Sequence, residues 1–223
     1  MDASQLLERY AAGERCFYFP NLEGIHLSDT NLSGIDLSGA DLFDAKLSRA
    51  DLSKANLADS VLSRAILTRA NLSQAILSRA ILNGAILSEA ILSRAILSGA
   101  VLNGAMLSGA ILRGADLYHS NLSGALLRHT DLYHAYLSDA LLRHADLYQA
   151  YLRDADLTGA NLFDANLRSA DLSNANLCCA NLKSANLSGT NLRGANLGGV
   201  NLRNALMCKT TMPDGEVSNR DCL

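Results

Sequence analysis

The stretch between residues 116 and 155 holds the side chains that could most readily do chemistry. It combines four histidines with five tyrosines: His119, His129, His134, His144, Tyr118, Tyr133, Tyr136, Tyr148 and Tyr151. Imidazole titrates near neutral pH and is the commonest metal ligand among protein side chains. If the fold gathered these rings at one point, they would form a metal site or an acid–base centre. Whether the rings come together depends on the secondary-structure elements that position them.

The sequence of those elements is a five-residue repeat. Every fifth residue from Leu22 through Leu202 is leucine, which gives 37 consecutive positions, and the residue two places earlier is alanine at 28 of them. Leucines five apart would scatter around a helix, which turns about 100° per residue. On a strand they would point alternately to opposite faces. The period instead predicts a short extended side followed by a corner, with leucine and alanine inward and successive coils stacked as a β-solenoid.

The consensus of the repeat is Ala-(Asp/Asn)-Leu-x-x, as in Ala155-Asp156-Leu157-Thr158-Gly159 and Ala160-Asn161-Leu162-Phe163-Asp164. Over about four fifths of the chain it resembles the pentapeptide-repeat family. The resemblance implies an all-β solenoid, a right-handed quadrilateral β-helix in which four pentapeptides form each coil. Residues 21–205 would then make about nine coils, a rod of about 45 Å at the usual strand spacing.

In a four-sided coil the histidines do not converge. They belong to a 15-residue unit written nearly three times, as Asp116-Leu117-Tyr118-His119, Asp131-Leu132-Tyr133-His134 and Asp146-Leu147-Tyr148-Gln149. Fifteen residues are three sides of a coil, so each copy is rotated by a quarter turn and the four histidines lie on four faces. A metal needs its ligands within about 2 Å. We therefore expect no metal site and no cofactor.

The five cysteines indicate little about function. Cys178 and Cys179 are adjacent at outward positions, and no second pair at zinc-ligand spacing accompanies them. Cys208 and Cys222 could pair if oxidised. Free surface and tail thiols are the favoured interpretation for a cytosolic protein.

The two ends differ from the repeats and are expected to cap them, because the first and last coils of a solenoid expose an apolar cross-section and unpaired strand edges. Residues 1–20 form the N-terminal helical cap, with a helix over 2–13. Its signals are an Asp2–Gln5 capping box, Gly13 at the C-terminus, and an apolar side made of Leu6, Leu7, Tyr10 and Ala11. Residues 206–223 form a C-terminal capping tail with a turn at Pro213-Asp214-Gly215.

Outward positions change character along the rod. Between residues 61 and 115 the position before leucine becomes mostly Ile, Val or Met, and five arginines against one acid give a net charge of +4. The flanks, residues 21–60 and 116–171, each carry a net charge of −4. If residues 20 apart stack, the central apolar side chains form two adjoining columns, which we call the apolar waist: Val61, Ile81 and Val101 in one column, and Ile66, Ile86, Met106 and Leu126 in the other.

Two interpretations of the apolar waist stay open. A contiguous exposed apolar patch often marks an interaction site, whereas β-branched residues also stack well in outward ladders without any partner. The arginines in the same coils favour a partner surface, because arginine is enriched at interfaces.

Several function classes are disfavoured. No run approaches the roughly 20 apolar residues of a membrane span, and the N-terminus lacks the pattern of a signal peptide, so we expect a cytoplasmic protein without membrane contact. A filled interior and an outer ladder without insertion loops leave no concave site for catalysis, so an enzyme is not expected. Five arginines scattered over four faces do not form a phosphate-tracking stripe, so direct nucleic-acid binding is not expected either.

The resemblance suggests two binding functions. The family's best-known members resemble B-form DNA in shape and acidity, bind DNA gyrase and are typically dimers. This chain differs from them in its all-leucine central position, its lack of a loop and its basic middle coils. Residues 6–15 and 212–215 resemble the termini of cyanobacterial family members, one of which regulates heterocyst differentiation through protein contacts. We therefore predict a protein-binding scaffold or regulatory module, monomeric or weakly dimeric, with an unidentified protein partner on the apolar waist. The alternative is a DNA mimic that binds a topoisomerase such as DNA gyrase.

Overall fold

A computed structural model describes residues 1–222, which begin with a single helix, α1, at Ala3–Ala11. The predicted capping box is present: Gln5 N–H donates to Asp2 Oδ1 over 2.9 Å, and Asp2 N–H donates to Gln5 Oε1 over 3.1 Å. Gly13 follows the helix with φ +96° and donates its N–H to the Tyr10 carbonyl. The helix is shorter than the predicted 2–13 because the residues at both ends act as caps.

Helix α1 packs against the first coils through one side. Leu6 is fully buried in the same apolar cluster as the solenoid leucines, and Ala3, Leu7 and Tyr10 pack against that cluster. The Tyr10 hydroxyl donates to the Ser33 carbonyl over 2.8 Å, which joins the helix to the coils. Ala11 was predicted to share the packed side but is exposed, because it lies at the last turn of the helix, beyond the contact.

The repeats form parallel ladders whose partners are 20 residues apart. Every fifth residue bridges the residue 20 positions on, from the Cys16–Asp36 pair to the Asn191–Thr211 pair. Each bridge uses two backbone hydrogen bonds, as where Ile86 N–H donates to Ala65 C=O over 2.9 Å and Leu67 N–H donates to Ile86 C=O over 2.7 Å. The predicted four-sided stacking register is therefore confirmed.

The corners depend on one unusual backbone conformation. The second residue after each leucine has a positive φ in nearly every repeat, as at Arg94 (57°), Gly104 (63°) and His129 (56°). Where Asp or Asn precedes the leucine, its side chain helps to close the corner: Asp146 Oδ1, for example, accepts from Tyr148 N–H over 3.2 Å. This local bond explains why Asx residues are common at that position.

The core consists of the inward leucines and alanines. They are buried from Leu22 to Leu192, and Leu197 and Leu202 in the last coil are partly exposed. Serines and threonines that replace inward alanines satisfy their hydroxyls on backbone carbonyls, as in the Ser60–Leu57 bond of 2.7 Å and the Thr130–Leu107 bond of 3.0 Å. Within residues 1–222, every buried side-chain nitrogen or oxygen atom has a hydrogen-bond partner.

The tail folds back on itself and on the last coil. Strand β1 at Thr210–Thr211 pairs antiparallel with β2 at Val217–Ser218, and the predicted turn lies between them. Asp221 accepts a hydrogen bond from Met207 N–H over 2.8 Å. The expectation of free tail thiols is wrong, because this hairpin brings the Cα atoms of Cys208 and Cys222 to 4.7 Å and the two cysteines form a disulfide. In the part of the chain that the structure describes, no helix combines the length and the apolar character needed to cross a bilayer.

Candidate interaction surface

The structure aligns the apolar waist as two adjoining ladders. One runs through Val61, Ile81 and Val101, and each member bridges the next. The other runs through Ile66, Ile86, Met106 and Leu126 in the same way. Stacked strands lie about 4.8 Å apart, so the side chains in each column are in mutual contact.

Exposure differs within the apolar waist. Ile81, Met106 and Leu126 expose 37%, 40% and 36% of their surface, and the other four residues are half-buried. The partial burial follows from the ladder, because each side chain is covered by its neighbours in the coils on either side. All seven side chains remain accessible to a partner.

The corner between the two ladders consists of two residues, and the second of them is glycine in three consecutive coils. These glycines are Gly84, Gly104 and Gly124, with φ between 62° and 67°, and they follow Asn83, Asn103 and Ser123. A Cβ atom at Gly104 or Gly124 would meet nothing within 4 Å. The two ladders therefore share an open edge at which a partner could approach the backbone closely. Sequence reasoning missed this edge, although glycine at the second position after leucine, repeated every 20 residues, was the available signal.

The arginines of the middle coils do not form a basic belt. Four of the five pair with a carboxylate in a neighbouring coil: Arg64 with Asp44 (3.0 Å), Arg69 with Glu89 (2.7 Å), Arg79 with Asp59 (2.6 Å) and Arg113 with Asp131 (2.5 Å). The hydrogen bond from Arg79 holds the pKa of Asp59 below its usual value. The charge bands seen along the sequence largely cancel, because stacking brings acids from the flanks against the central arginines.

Exposure alone does not single out the apolar waist. On the face opposite the longer ladder, Ile76 and Ile96 bridge each other and expose 38% and 39% of their surface. The shorter Ile91–Ile111 pair lies on the remaining face. What distinguishes the apolar waist is the length of its ladders and their shared open edge.

The histidines lie at different corners, and three of them face an aspartate 20 residues further along. His144 Nδ1 is 3.0 Å from Asp164, whereas His119 and His134 are each 4.0 Å from Asp139 and Asp154, respectively. Across residues 1–222, no group of three or more His, Cys, Asp or Glu side chains is placed to hold a metal ion.

A shallow groove of about 370 Å³ on another face was not predicted from the sequence. It is lined by Arg113, Asp131, Tyr133, Tyr151, Arg153 and Asp171. Its carboxylates are already engaged: Asp131 by Arg113, and Asp171 Oδ1 by Ser173 N–H and the Asn191 amide, both over 3.0 Å. The groove therefore offers no spare pair of carboxylates for acid–base catalysis.

Comparisons with known proteins agree with this architecture. The family model for pentapeptide repeats matches the chain in eight overlapping copies that extend from residue 21 to residue 213. No curated protein matches the chain.

Two solved structures illustrate the similarity. The chain is similar to HetL, a pentapeptide repeat protein involved in heterocyst differentiation regulation from the cyanobacterium Nostoc sp. strain PCC 7120. The identity is 40% and the TM-score 0.77, over 98% of this chain and 100% of HetL. It is also similar to trypsin-treated QnrB1, a plasmid-mediated fluoroquinolone resistance protein, with 21% identity and a TM-score of 0.52 over 83% of this chain and 91% of that one. The second likeness concerns the fold alone.

Proposed function

Because this chain belongs to the pentapeptide-repeat family, whose members fold as right-handed quadrilateral β-helices, we propose that it is a non-enzymatic protein-binding scaffold or regulatory module. The apolar waist is the surface that binds the partner. The observation that carries this proposal is the pair of adjoining apolar ladders that share the glycine edge. Rigid, partly exposed apolar side chains around an open backbone edge suit a protein surface of complementary shape.

Two further observations support a binding role. HetL, which is similar over nearly the whole chain, is involved in the regulation of a differentiation process. The interior is filled with leucine and alanine, and the carboxylates of the surface groove are engaged in ion pairs and hydrogen bonds. Both features suit a protein that acts through its outer surface. Its partner is a protein rather than nucleic acid or a membrane, and the chain is a monomer or weak dimer.

The proposal includes the roles of the two ends. Residues 21–205 form about nine coils at four strands per coil. The segment 1–20, with α1, covers the first coil, and the tail 206–223, of which residue 223 lies outside the described residues, covers the last. The buried Leu6, the Tyr10–Ser33 bond and the Asp221–Met207 bond support these capping roles. A cytoplasmic location belongs to the proposal as well, although the Cys208–Cys222 disulfide counts against it because disulfides are rare in reducing compartments.

The second candidate is a DNA mimic that binds a topoisomerase such as DNA gyrase. The acidic flanks of the rod favour this function. The ion pairs count against it, because Asp44, Asp59 and Asp131 are each neutralised by an arginine. A surface that imitates a phosphate backbone needs carboxylates along its length that are not paired with cations.

The test is capture of partners from a lysate of the source organism by wild type and by two double variants. Ile86→Asp/Met106→Asp changes the longer ladder of the apolar waist, and the matched control Ile76→Asp/Ile96→Asp changes equally stacked, comparably exposed residues on the opposite face. We expect wild type and control to hold the partner and the waist variant to bind it at least about tenfold more weakly, since hot-spot changes cost about 2 kcal/mol or more. Circular dichroism checks that both variants fold.

Equal capture by all three proteins would overturn the waist as the binding surface. Equal loss in both double variants would do the same, because the effect would not depend on the face. Purified DNA gyrase serves as a separate bait. Its capture by wild type and both variants alike would favour the topoisomerase alternative.

A further inference from the structure

Two neighbouring thiols lie outside the proposed binding surface. Cys178 and Cys179 follow Leu177 at the two outward positions of one repeat, Cys179 at the corner with φ 60°. Cys178 is half-buried and Cys179 is exposed. Their sulfur atoms are 3.6 Å apart, so the corner holds both thiols side by side.

The neighbouring coils place glycine next to these cysteines at three of four positions, and the fourth is Thr158, which lies 20 residues before Cys178. Gly198 and Gly199 stack directly above the two cysteines, and a Cβ atom at these glycines would lie 3.9 Å from Cys178 Sγ and 3.3 Å from Cys179 Sγ, respectively. Gly159 occupies the position of Cys179 in the preceding coil, and its N–H donates to the Cys178 carbonyl over 2.9 Å. Cys179 therefore has glycine next to it in both neighbouring coils, whereas Cys178 has glycine on one side and Thr158 on the other.

The separation of the sulfurs suits chelation better than a disulfide. A disulfide needs a bond of about 2.05 Å, so each thiol would have to move against the constrained corner. Two thiolates bound to one tetrahedral ion at about 2.3 Å lie about 3.8 Å apart. The observed 3.6 Å is close to that value without any rearrangement.

We propose that Cys178 and Cys179 form a dithiolate site for one soft, thiophilic metal ion of the Zn²⁺ and Cd²⁺ class. Two sulfur–metal bonds form as the two thiol protons pass to solvent, and no electron transfer is involved. No further His, Cys, Asp or Glu of residues 1–222 completes a three-ligand group, so water fills the remaining positions and the site stays open. Soft thiolate ligands favour such ions over Mg²⁺ or Ca²⁺.

Metal binding at this site releases protons, because each thiol must lose its proton to become a ligand. Protons therefore compete with the metal, and the site binds more tightly as the pH rises.

The experiment is a Cd²⁺ titration of the full-length protein, with the Cys208–Cys222 disulfide intact, followed by the thiolate-to-cadmium absorption band in the ultraviolet. Cys178→Ser and Cys179→Ser each remove one ligand. Cys16→Ser, which removes another exposed free thiol, is the matched control. We expect one Cd²⁺ per chain in wild type and in the control, displaced by Zn²⁺ but not by Mg²⁺. Binding should be at least about tenfold weaker in either single variant and stronger at higher pH.

The proposal is wrong if Cys178→Ser and Cys179→Ser both bind Cd²⁺ like wild type. It is also wrong if wild type shows no more absorption than the Cys178→Ser/Cys179→Ser double variant. Because these positions are on the surface and outside the core, neither result can be attributed to unfolding, and circular dichroism of each variant verifies this.

Discussion

In each repeat, one residue determines how much conformational free energy the corner costs. The second residue after leucine adopts a left-handed backbone conformation, whether it is Arg94, His129 or Gly104. This conformation costs an L-residue with a Cβ atom about 1–2 kcal/mol. The cost is lowest for Asn and Asp and highest for β-branched residues. The chain uses glycine at only some of these corners, so the ladder hydrogen bonds must offset this cost at the others.

Gly104 isolates the backbone contribution, because an added Cβ atom would contact nothing within 4 Å. We expect Gly104→Val to lower the free energy of unfolding by about 1–2 kcal/mol and Gly104→Asn to leave it nearly unchanged. Urea denaturation of the two variants beside wild type measures the difference. Equal losses in both would show that the corner does not discriminate by backbone conformation.

At the scale of elements, the two ends of the rod are built differently. Helix α1 has nine residues and is too short to be stable alone, so it depends on Leu6 and Tyr10 for its place. The tail has only two-residue strands and is held by side-chain bonds and the Cys208–Cys222 disulfide. The tail is therefore the end that a single covalent change can loosen.

Removing the disulfide should open the tail and leave the coils intact. The bridge closes a sequence separation of 14 residues, for which chain entropy gives about 3 kcal/mol. In Cys222→Ser we expect faster amide hydrogen exchange in residues 206–222 and unchanged exchange between residues 60 and 160. Cys16→Ser serves as a control that keeps the disulfide. Tail protection equal to that of wild type would mean that the hairpin and Asp221 suffice.

At the scale of the whole molecule, folding lowers the pKa of carboxylates along the rod. The groups affected are Glu14, Asp29, Asp36, Asp59, Asp156 and Asp221. For Asp29 and Asp59 the main cause is a hydrogen bond from an arginine in the next coil. Burial raises the pKa of Asp156, but hydrogen bonds from Thr158, Ser138 and Asn176 outweigh it.

Because these folded-state pKa values lie below those of the unfolded chain, their contribution to stability is present above the unfolded values. It is lost as the pH falls through the folded ones. We expect the urea midpoint to be constant near neutral pH and to fall below about pH 4. Asp156→Asn should show a shallower fall than wild type, because it removes one of the titrating groups. A midpoint that stays level or rises between pH 5 and pH 3 would contradict this account.

Much of the architecture could be predicted from the sequence, because a strict five-residue period admits few geometries. The spacing of Leu22 through Leu202 determined which side chains face inward, and four sides per coil then placed Ile86 beside Ile66 and Met106. The same arithmetic separated the histidines. The inward positions follow from the period alone, whereas the four sides per coil came from the resemblance to the pentapeptide-repeat family.

Only the tertiary structure decided what the side chains do between coils. The pairing of Arg79 with Asp59, the disulfide of Cys208 with Cys222, and the 3.6 Å between Cys178 and Cys179 depend on rotamers and on the path of the tail. The open edge at Gly104 depends on which corner adjoins which ladder. These contacts join residues through space, and the periodic pattern predicts the positions of the backbone more closely than the directions of the outward side chains.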